Sequence, residues 1–242
     1  MKNKKIIFMG TPDISAEYLS ALLKENIPIS AVFTQSPKRQ SRGMKLIKSA
    51  VHTLANNKNI DVYHPENFDN EIINVLKEMD PDLIIVMAYG KILPKDILEL
   101  PKHGCINIHL SILPRWRGAA PIEHSLINGD KETGISIIKL IEKLDSGPII
   151  VQKKLIIPEN CNKLQLTDNL NKIGTKLLVN TIPFILNDEI SLKIQDEKNA
   201  TYANKITSKN RKINFNNSMR DILNQVKAHS PKPGAWFFLN KE

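Results

Sequence analysis

Leu83-Ile84-Ile85-Val86-Met87-Ala88 is an unbroken apolar run, entered through Pro81-Asp82 and left through Tyr89-Gly90-Lys91. A strand with one wet face alternates apolar and polar residues. A strand covered on both faces need not, so a run of this kind marks the parallel sheet of an α/β protein. The neighbouring sequence agrees. Residues 70–79 place Ile72, Ile73, Val75 and Leu76 inward at helical spacing, residues 95–100 read as a short helix, and a further strand follows from Cys105. At the amino end, residues 5–9 form a strand turned by Gly10-Thr11-Pro12-Asp13. Ile14, Tyr18, Ala21 and Leu22 then recur at helical spacing, and residues 29–34 make a second strand. This is a βαβ opening. A helix over 49–56 and a short strand around Val62 complete the first half. The prediction is an open, doubly wound, mostly parallel α/β sheet that binds ligands outside the carboxyl ends of its strands.

The second half reads as a helix over 119–128, a strand over 133–140 and a returning, antiparallel strand over 149–157. A long amphipathic helix over 164–185 follows, with Leu166, Leu170, Ile173, Leu177 and Leu178 inward, then a last strand candidate over 190–194. From about Ile206 the character changes. Residues 206–242 carry seven basic residues against two acids, a helix candidate over 218–228 and a strand-like apolar segment over 235–239. That tail has too little apolar surface for a core of its own. The expected division is 1–205 as the main domain and 206–242 as a linker and tail.

Composition narrows the function. No apolar run approaches the roughly 18–20 residues that span a bilayer. The apolar run after the amino-terminal lysines stops at Gly10 and reads as a first strand, too short for the core of a signal peptide. The two cysteines, Cys105 and Cys161, form no CxxC pair, so neither a disulfide framework nor a zinc site is indicated, and a reducing cytosol fits. The first turn holds a single glycine, which disfavours a dinucleotide-binding enzyme. The formal charge of +9 fits a polyanionic partner or a lysine-rich composition equally well. Residues 35–48 hold five positive charges and no acid (Lys38, Arg39, Arg42, Lys45 and Lys48), with Pro37 and Gly43 against continuous structure. They read as a basic surface loop, either merely solvated or tracking phosphates.

Within the strand that starts at Cys105, Asn107 and His109 are two apart and share a face. An amide and an imidazole at a strand end, just before a loop punctuated by Pro and Gly, suit a reaction centre as well as a pair of satisfied polar groups. Asp145 lies in a loop ahead of Ser146-Gly147-Pro148, as a turn acid or as a third member. Together the three suit acyl transfer to an amine. Asn107 and a protonated His109 would stabilise an oxyanion, while Asp145 would pair with His109 and relay a proton through water. No serine or cysteine nucleophile is required.

Asn107-Ile108-His109-Leu110-Ser111-Ile112-Leu113-Pro114-Arg115-Trp116-Arg117-Gly118-Ala119-Ala120-Pro121, followed by Leu144-Asp145-Ser146-Gly147, resembles the signature of the folate-dependent formyltransferases. Phe8-Met9-Gly10-Thr11-Pro12, Arg42-Gly43-Met44-Lys45-Leu46, Ala88-Tyr89-Gly90-Lys91-Ile92-Leu93-Pro94 and Ala200-Thr201-Tyr202-Ala203-Asn204-Lys205-Ile206 extend the resemblance over essentially the whole chain. It implies a Rossmann-like formyltransferase fold with Asn107, His109 and Asp145 catalytic. It implies that Ser111, Ile112, Leu113 and Pro114 line the folate site, and that Lys38, Arg39, Arg42, Lys45 and Lys48 meet the acceptor end of a tRNA. The implied co-substrate is 10-formyltetrahydrofolate, without metal, and the implied acceptor is the free amine of initiator methionyl-tRNA, in a cytoplasmic monomer. An amino-sugar nucleotide or glycinamide ribonucleotide as acceptor, and a non-catalytic remnant binding RNA, are the alternatives. The sequence departs from the family pattern at Leu110, Ile112 and Ser41, and most at its end. The family carries a second, OB-like barrel, of which a short incomplete remnant of about one strand is expected here. Trp236, Phe237 and Phe238 would then pack on the first domain, pair with another chain or stay exposed.

Overall fold

The computed structural model describes residues 3–40 and 45–239. β1 (Ile6–Gly10) leads into α1 (Asp13–Lys24), β2 (Ile29–Phe33), the short strands β3 (Lys38–Gln40) and β4 (Lys45–Ile47), α2 (Ala50–Asn57) and β5 (Asp61–Tyr63). Then come α3 (Asn70–Met79), β6 (Leu83–Met87), α4 (Lys95–Leu98), β7 (Cys105–His109), α5 (Pro121–Ile127), β8 (Glu132–Lys139), β9 (Ile149–Ile156), α6 (Lys163–Leu186) and α7 (Met219–His229). Seven strands form one sheet in the order β5-β2-β1-β6-β7-β8-β9. Neighbours from β5 to β7 are parallel, whereas β8 and β9 run antiparallel. The doubly wound sheet expected from the apolar runs is the one observed.

β1 and β6 are buried along their whole length because both sheet faces are covered. Ile6 and Phe8 join one core with Tyr18, Leu19 and Leu22 of α1 and Leu170 and Leu178 of α6. Ile7 and Met9, one residue out of phase, join the opposite core with Leu76 of α3 and Ile97 of α4. The chain leaves β1 towards β2 and β5 and returns on its other side as β6, so the topological switch point lies between β1 and β6. The crevice above that point is where such sheets bind ligands. Two hydrogen bonds tie its walls: Ser15 Oγ to the Met87 carbonyl (2.6 Å) and Thr11 Oγ1 to the Tyr89 carbonyl (2.9 Å).

Three segments differ from their sequence-based description. Residues 38–47 include paired antiparallel strands, β3 and β4, where Pro37 and Gly43 suggested a loop. Pro37 directly precedes β3, so its missing N–H costs the ladder no hydrogen bond, and Gly43 falls outside the described residues. Residues 190–194 make no strand. Lys193 and Ile149 exchange two backbone hydrogen bonds (2.8 and 2.9 Å) in a single bridge. Leu192 and Ile194 are exposed there, so the alternation has no core face to bury. Residues 235–239 likewise give one bridge, Trp236 with Lys212, instead of a strand, and no barrel strand forms among the described residues of the tail. The tail instead docks through α7. Its start is capped by Ser218, whose hydroxyl accepts from the Asp221 N–H, and Ala228 enters the core shared by α1 and α6. Phe237 and Phe238 stay exposed, stacked edge-on against Phe215 and Trp236.

Candidate active site

β7 ends at the same carboxyl edge of the sheet, next to that crevice, with β6 on one side and β8 on the other. The period of the strand puts Asn107 and His109 on one face, where both line a cleft of about 440 Å³. The remaining walls come from the segment Ala88–Leu93 after β6, from Gly118 and Ala119, and from 140–145 after β8. Apolar groups dominate: Val86, Met87, Ile92, Leu93, Leu140 and Leu144. Among the described residues, nothing hydrogen-bonds the Asn107 side-chain amide, which leaves both its donor and its acceptor to the cleft.

Asp145 comes from the loop between β8 and β9, and the fold brings it to His109. Its Oδ2 accepts a hydrogen bond from the Gly118 N–H (2.8 Å) and lies 3.7 Å from His109 Nδ1. Both side chains are almost fully buried, so little water screens the pair. The other imidazole nitrogen, Nε2, sits 2.7 Å from the Trp116 carbonyl. A carbonyl only accepts, so the proton is on Nε2, and Nδ1 is the atom that can exchange a proton within the cleft.

The Trp116 carbonyl is itself held. Trp116 adopts φ +64°, its N–H donates to Thr201 Oγ1 (2.9 Å), and its indole N–H donates to Asp130 (2.7 Å). The Arg115 guanidinium lies 4.3 Å above the indole ring and grips Asp130 with two hydrogen bonds of 3.0 and 2.7 Å. Burial would raise the Asp130 carboxyl, but the hydrogen bonds from Arg115, Trp116 and Asn128 outweigh it and hold the group below its ordinary value. Among the described residues seven non-glycines have positive φ, and Ala88, Trp116 and Asp145 are three of them. Backbone held in a sparsely populated region gathers at functional sites.

The remaining candidate residues are placed as follows. Ser111, Ile112, Leu113 and Pro114 turn away from this cleft and are absent from its walls. The Ser111 hydroxyl donates to the Arg115 carbonyl (2.6 Å), Ile112 packs on Gly134, and the Leu113 carbonyl accepts from Gln152 (2.9 Å). Lys38 and Arg39 lie on β3 and Lys45 on β4, Lys48 is exposed beyond it, and Arg42 falls outside the described residues. Lys38 Nζ donates to Gln35 (2.7 Å), and Gln35 donates to the Tyr89 carbonyl (3.0 Å), which ties this basic hairpin to the cleft wall. Sequence reasoning assigned no role to Arg117 or Gln195. Arg117 is completely buried, and its guanidinium donates to Gln195 Oε1 and to Glu197. Hydrogen bonds from Arg117 and Lys143 hold the Glu197 carboxyl at about 2.

An open α/β sheet with an amide, an imidazole and a carboxylate around a cleft at the carboxyl ends of β6 and β7 suits a group-transferring α/β enzyme. The chain belongs to the formyl transferase family: the formyl transferase model matches residues 4–182, and the model of the family's C-terminal domain matches residues 205–242. It is 41% identical over 241 residues to the methionyl-tRNA formyltransferase of Pelagibacter ubique, covering 99% of this chain and 78% of that protein. It is 45% identical to that of a Wolbachia species over 230 residues, covering 94% and 75%. Among solved structures, a sugar N-formyltransferase from a Shewanella species shares the fold with a TM-score of 0.77 at 17% identity, covering 98% of this chain and 93% of that one. WlaRD, a sugar 3N-formyl transferase with dTDP and 5-N-formyl-THF, does so with a TM-score of 0.70 at 24% identity, covering 93% and 78%.

Proposed function

We propose that this enzyme transfers the formyl group of 10-formyltetrahydrofolate to the free α-amine of initiator methionyl-tRNA, with Asn107, His109 and Asp145 as its catalytic residues. The observation that carries the reading is their convergence on one cleft. The similarity to methionyl-tRNA formyltransferases over nearly the whole chain supports the choice of acceptor. The volume and apolar lining of the cleft suit a flat heteroaromatic head group, and backbone amides and carbonyls of 88–93 and 140–145 are at hand for its polar edge. The basic hairpin supplies charge for a phosphate backbone beside the same opening. Residues 1–205 form the catalytic unit and 206–242 extend the surface offered to the acceptor.

The amine nitrogen attacks the formyl carbon, and negative charge develops on the formyl oxygen. The Asn107 amide and the protonated Nδ1 of His109 stabilise that charge as donors held in place at the end of β7. Asp145 balances the imidazolium and accepts, through water, the proton that the attacking nitrogen must lose. The bond from the formyl carbon to N10 then breaks, and a proton returns to N10. Formylation of methionyl-tRNA and of an amino-sugar nucleotide, assayed side by side, tests the acceptor. His109→Ala and Asp145→Asn are each expected to lower kcat by about 10²–10⁴-fold. Full turnover without His109, or preference for the amino sugar, would overturn the reading.

A further inference from the structure

Asp145 sits in a loop, with φ +46°, in a region of backbone space that L-residues rarely occupy. Something must hold it there, and the structure shows what does. The Gln195 side chain, 50 residues downstream, donates from Nε2 to the Asp145 carbonyl (2.8 Å) and to the Gly147 carbonyl (2.7 Å). Its orientation is set from the other end. Oε1 accepts from Arg117 Nε (3.1 Å) and Nη2 (2.9 Å), so the amide cannot turn over without facing donor against donor. Gln195 is almost fully buried and Arg117 completely so. Gly147 lets the loop lie close against β8: a Cβ there would lie 1.8 Å from the Lys139 carbonyl oxygen.

Gln195 is one anchor of a strap. Lys193 bridges Ile149, Glu197 pairs with Arg117 and Lys143, and Thr201 and Ala203 exchange backbone hydrogen bonds with the Pro114–Ala120 turn. Among these last are Arg117 N to the Thr201 carbonyl (2.9 Å) and Ala203 N to the Arg117 carbonyl (2.7 Å). The strap thus laces together the two loops that hold the partners of His109: the Trp116 carbonyl and the Asp145 carboxylate. The Ala200–Ile206 motif, which the sequence left without a task, is its carboxyl-terminal half.

We propose that Gln195, oriented by Arg117, is a positioning residue for formyl transfer: it fixes the Asp145 main chain so that the carboxylate meets the Gly118 N–H and faces His109. The proposal rests on the assignment of Asp145 as catalytic. Gln195→Glu separates donation from packing, since it keeps the size and the Arg117 contact and removes both N–H donors. A carboxylate displaced by about 1 Å is enough to cost about 10²-fold in rate. Gln195→Glu is therefore expected to lower kcat about 10²-fold and to shift the pH–rate profile towards that of Asp145→Asn.

The double variant distinguishes positioning from a merely structural effect, because residues acting through one another are not additive. Gln195→Glu in the Asp145→Asn background is expected to cost little further. Unchanged kcat in Gln195→Glu, or losses that multiply in the double variant, would overturn the proposal. Amide hydrogen exchange gives a readout free of catalysis. Protection of the Gly118 N–H, which donates to Asp145, is expected to fall at least about tenfold in Gln195→Glu, while the Ala203 N–H stays protected. Equal protection of Gly118 in both proteins would overturn the positioning role. If protection falls but Asp145→Asn retains full activity, the positioning stands and the catalytic assignment of Asp145 falls.

Discussion

At the scale of single residues, the site depends on glycine where the strap touches the loop. Gly118 has φ +116°, and a Cβ on it would lie 2.7 Å from the Ala203 carbonyl oxygen. Its N–H is also the donor to Asp145. Gly118→Ala therefore strains the backbone and pushes the strap away at once. The expected outcome is a stability loss of about 1–3 kcal/mol in denaturant titration and a fall in kcat of about 10²-fold. A variant with unchanged kcat would show that the approach of the strap is immaterial. Asn107 and His109 were legible as a pair because a strand's period of two makes them share a face. Asp145 was legible from its loop only as a turn acid or a third member, since a loop carries no period, and the resemblance weighted the second reading. Arg117 stood in the signature without a role and Gln195 left no signal: what a buried arginine and a glutamine in a polar stretch do is recognisable only when tertiary contacts bring them together.

At the scale of elements, α6 shows how packing overrides propensity. Alanine is normally favoured over glycine inside a helix by about 0.8–1 kcal/mol. At Gly174, however, an added Cβ would lie 2.0 Å from the Tyr18 hydroxyl of α1. Gly174→Ala is expected to destabilise by about 1–3 kcal/mol through overpacking, read as a lower denaturation midpoint. Tyr18→Phe removes the clashing oxygen, which has no hydrogen-bond partner among the described residues, and should recover part of that loss; no recovery would place the strain elsewhere. Elements whose burial is uniform were the easy ones to read. β6 and α3 were clear from composition and period, and α3 has the expected bounds. The short β3–β4 pair was not, because three residues a strand are too few for an alternation to show, and the single bridges at Lys193 and Trp236 were not, because each is settled by backbone pairing with distant chain.

At the scale of the whole molecule, titration should be seen in two stages. Burial lowers His52 and His229, so the unfolded chain takes up protons first as the pH falls below 6.5, and stability declines from there. The Asp82 and Asp130 carboxyls are depressed, and that of Glu197 lies at about 2 against 4.5 in the free residue. Their contribution is present above the unfolded values and is lost as the pH falls through the folded ones, below about 4. Thermal midpoints measured from pH 8 to 3 should show both declines, with the first reduced in His229→Phe; a single acid step would contradict the histidine assignment. The net charge of +9 makes a separate forecast for the tRNA. The Michaelis constant for methionyl-tRNA should rise steeply with salt while that for the folate hardly moves, and a salt-independent constant would argue against a phosphate-tracking hairpin. The strap has a consequence in time as well as in space. A ribosome makes Asn107 and His109 first, then Asp145, and the segment that steadies Asp145 only afterwards. On the proposed assignment of Asn107, His109 and Asp145, a growing chain carries its reacting groups before it can use them, and chemical competence arrives only when residues 193–203 have emerged and closed over loops already made.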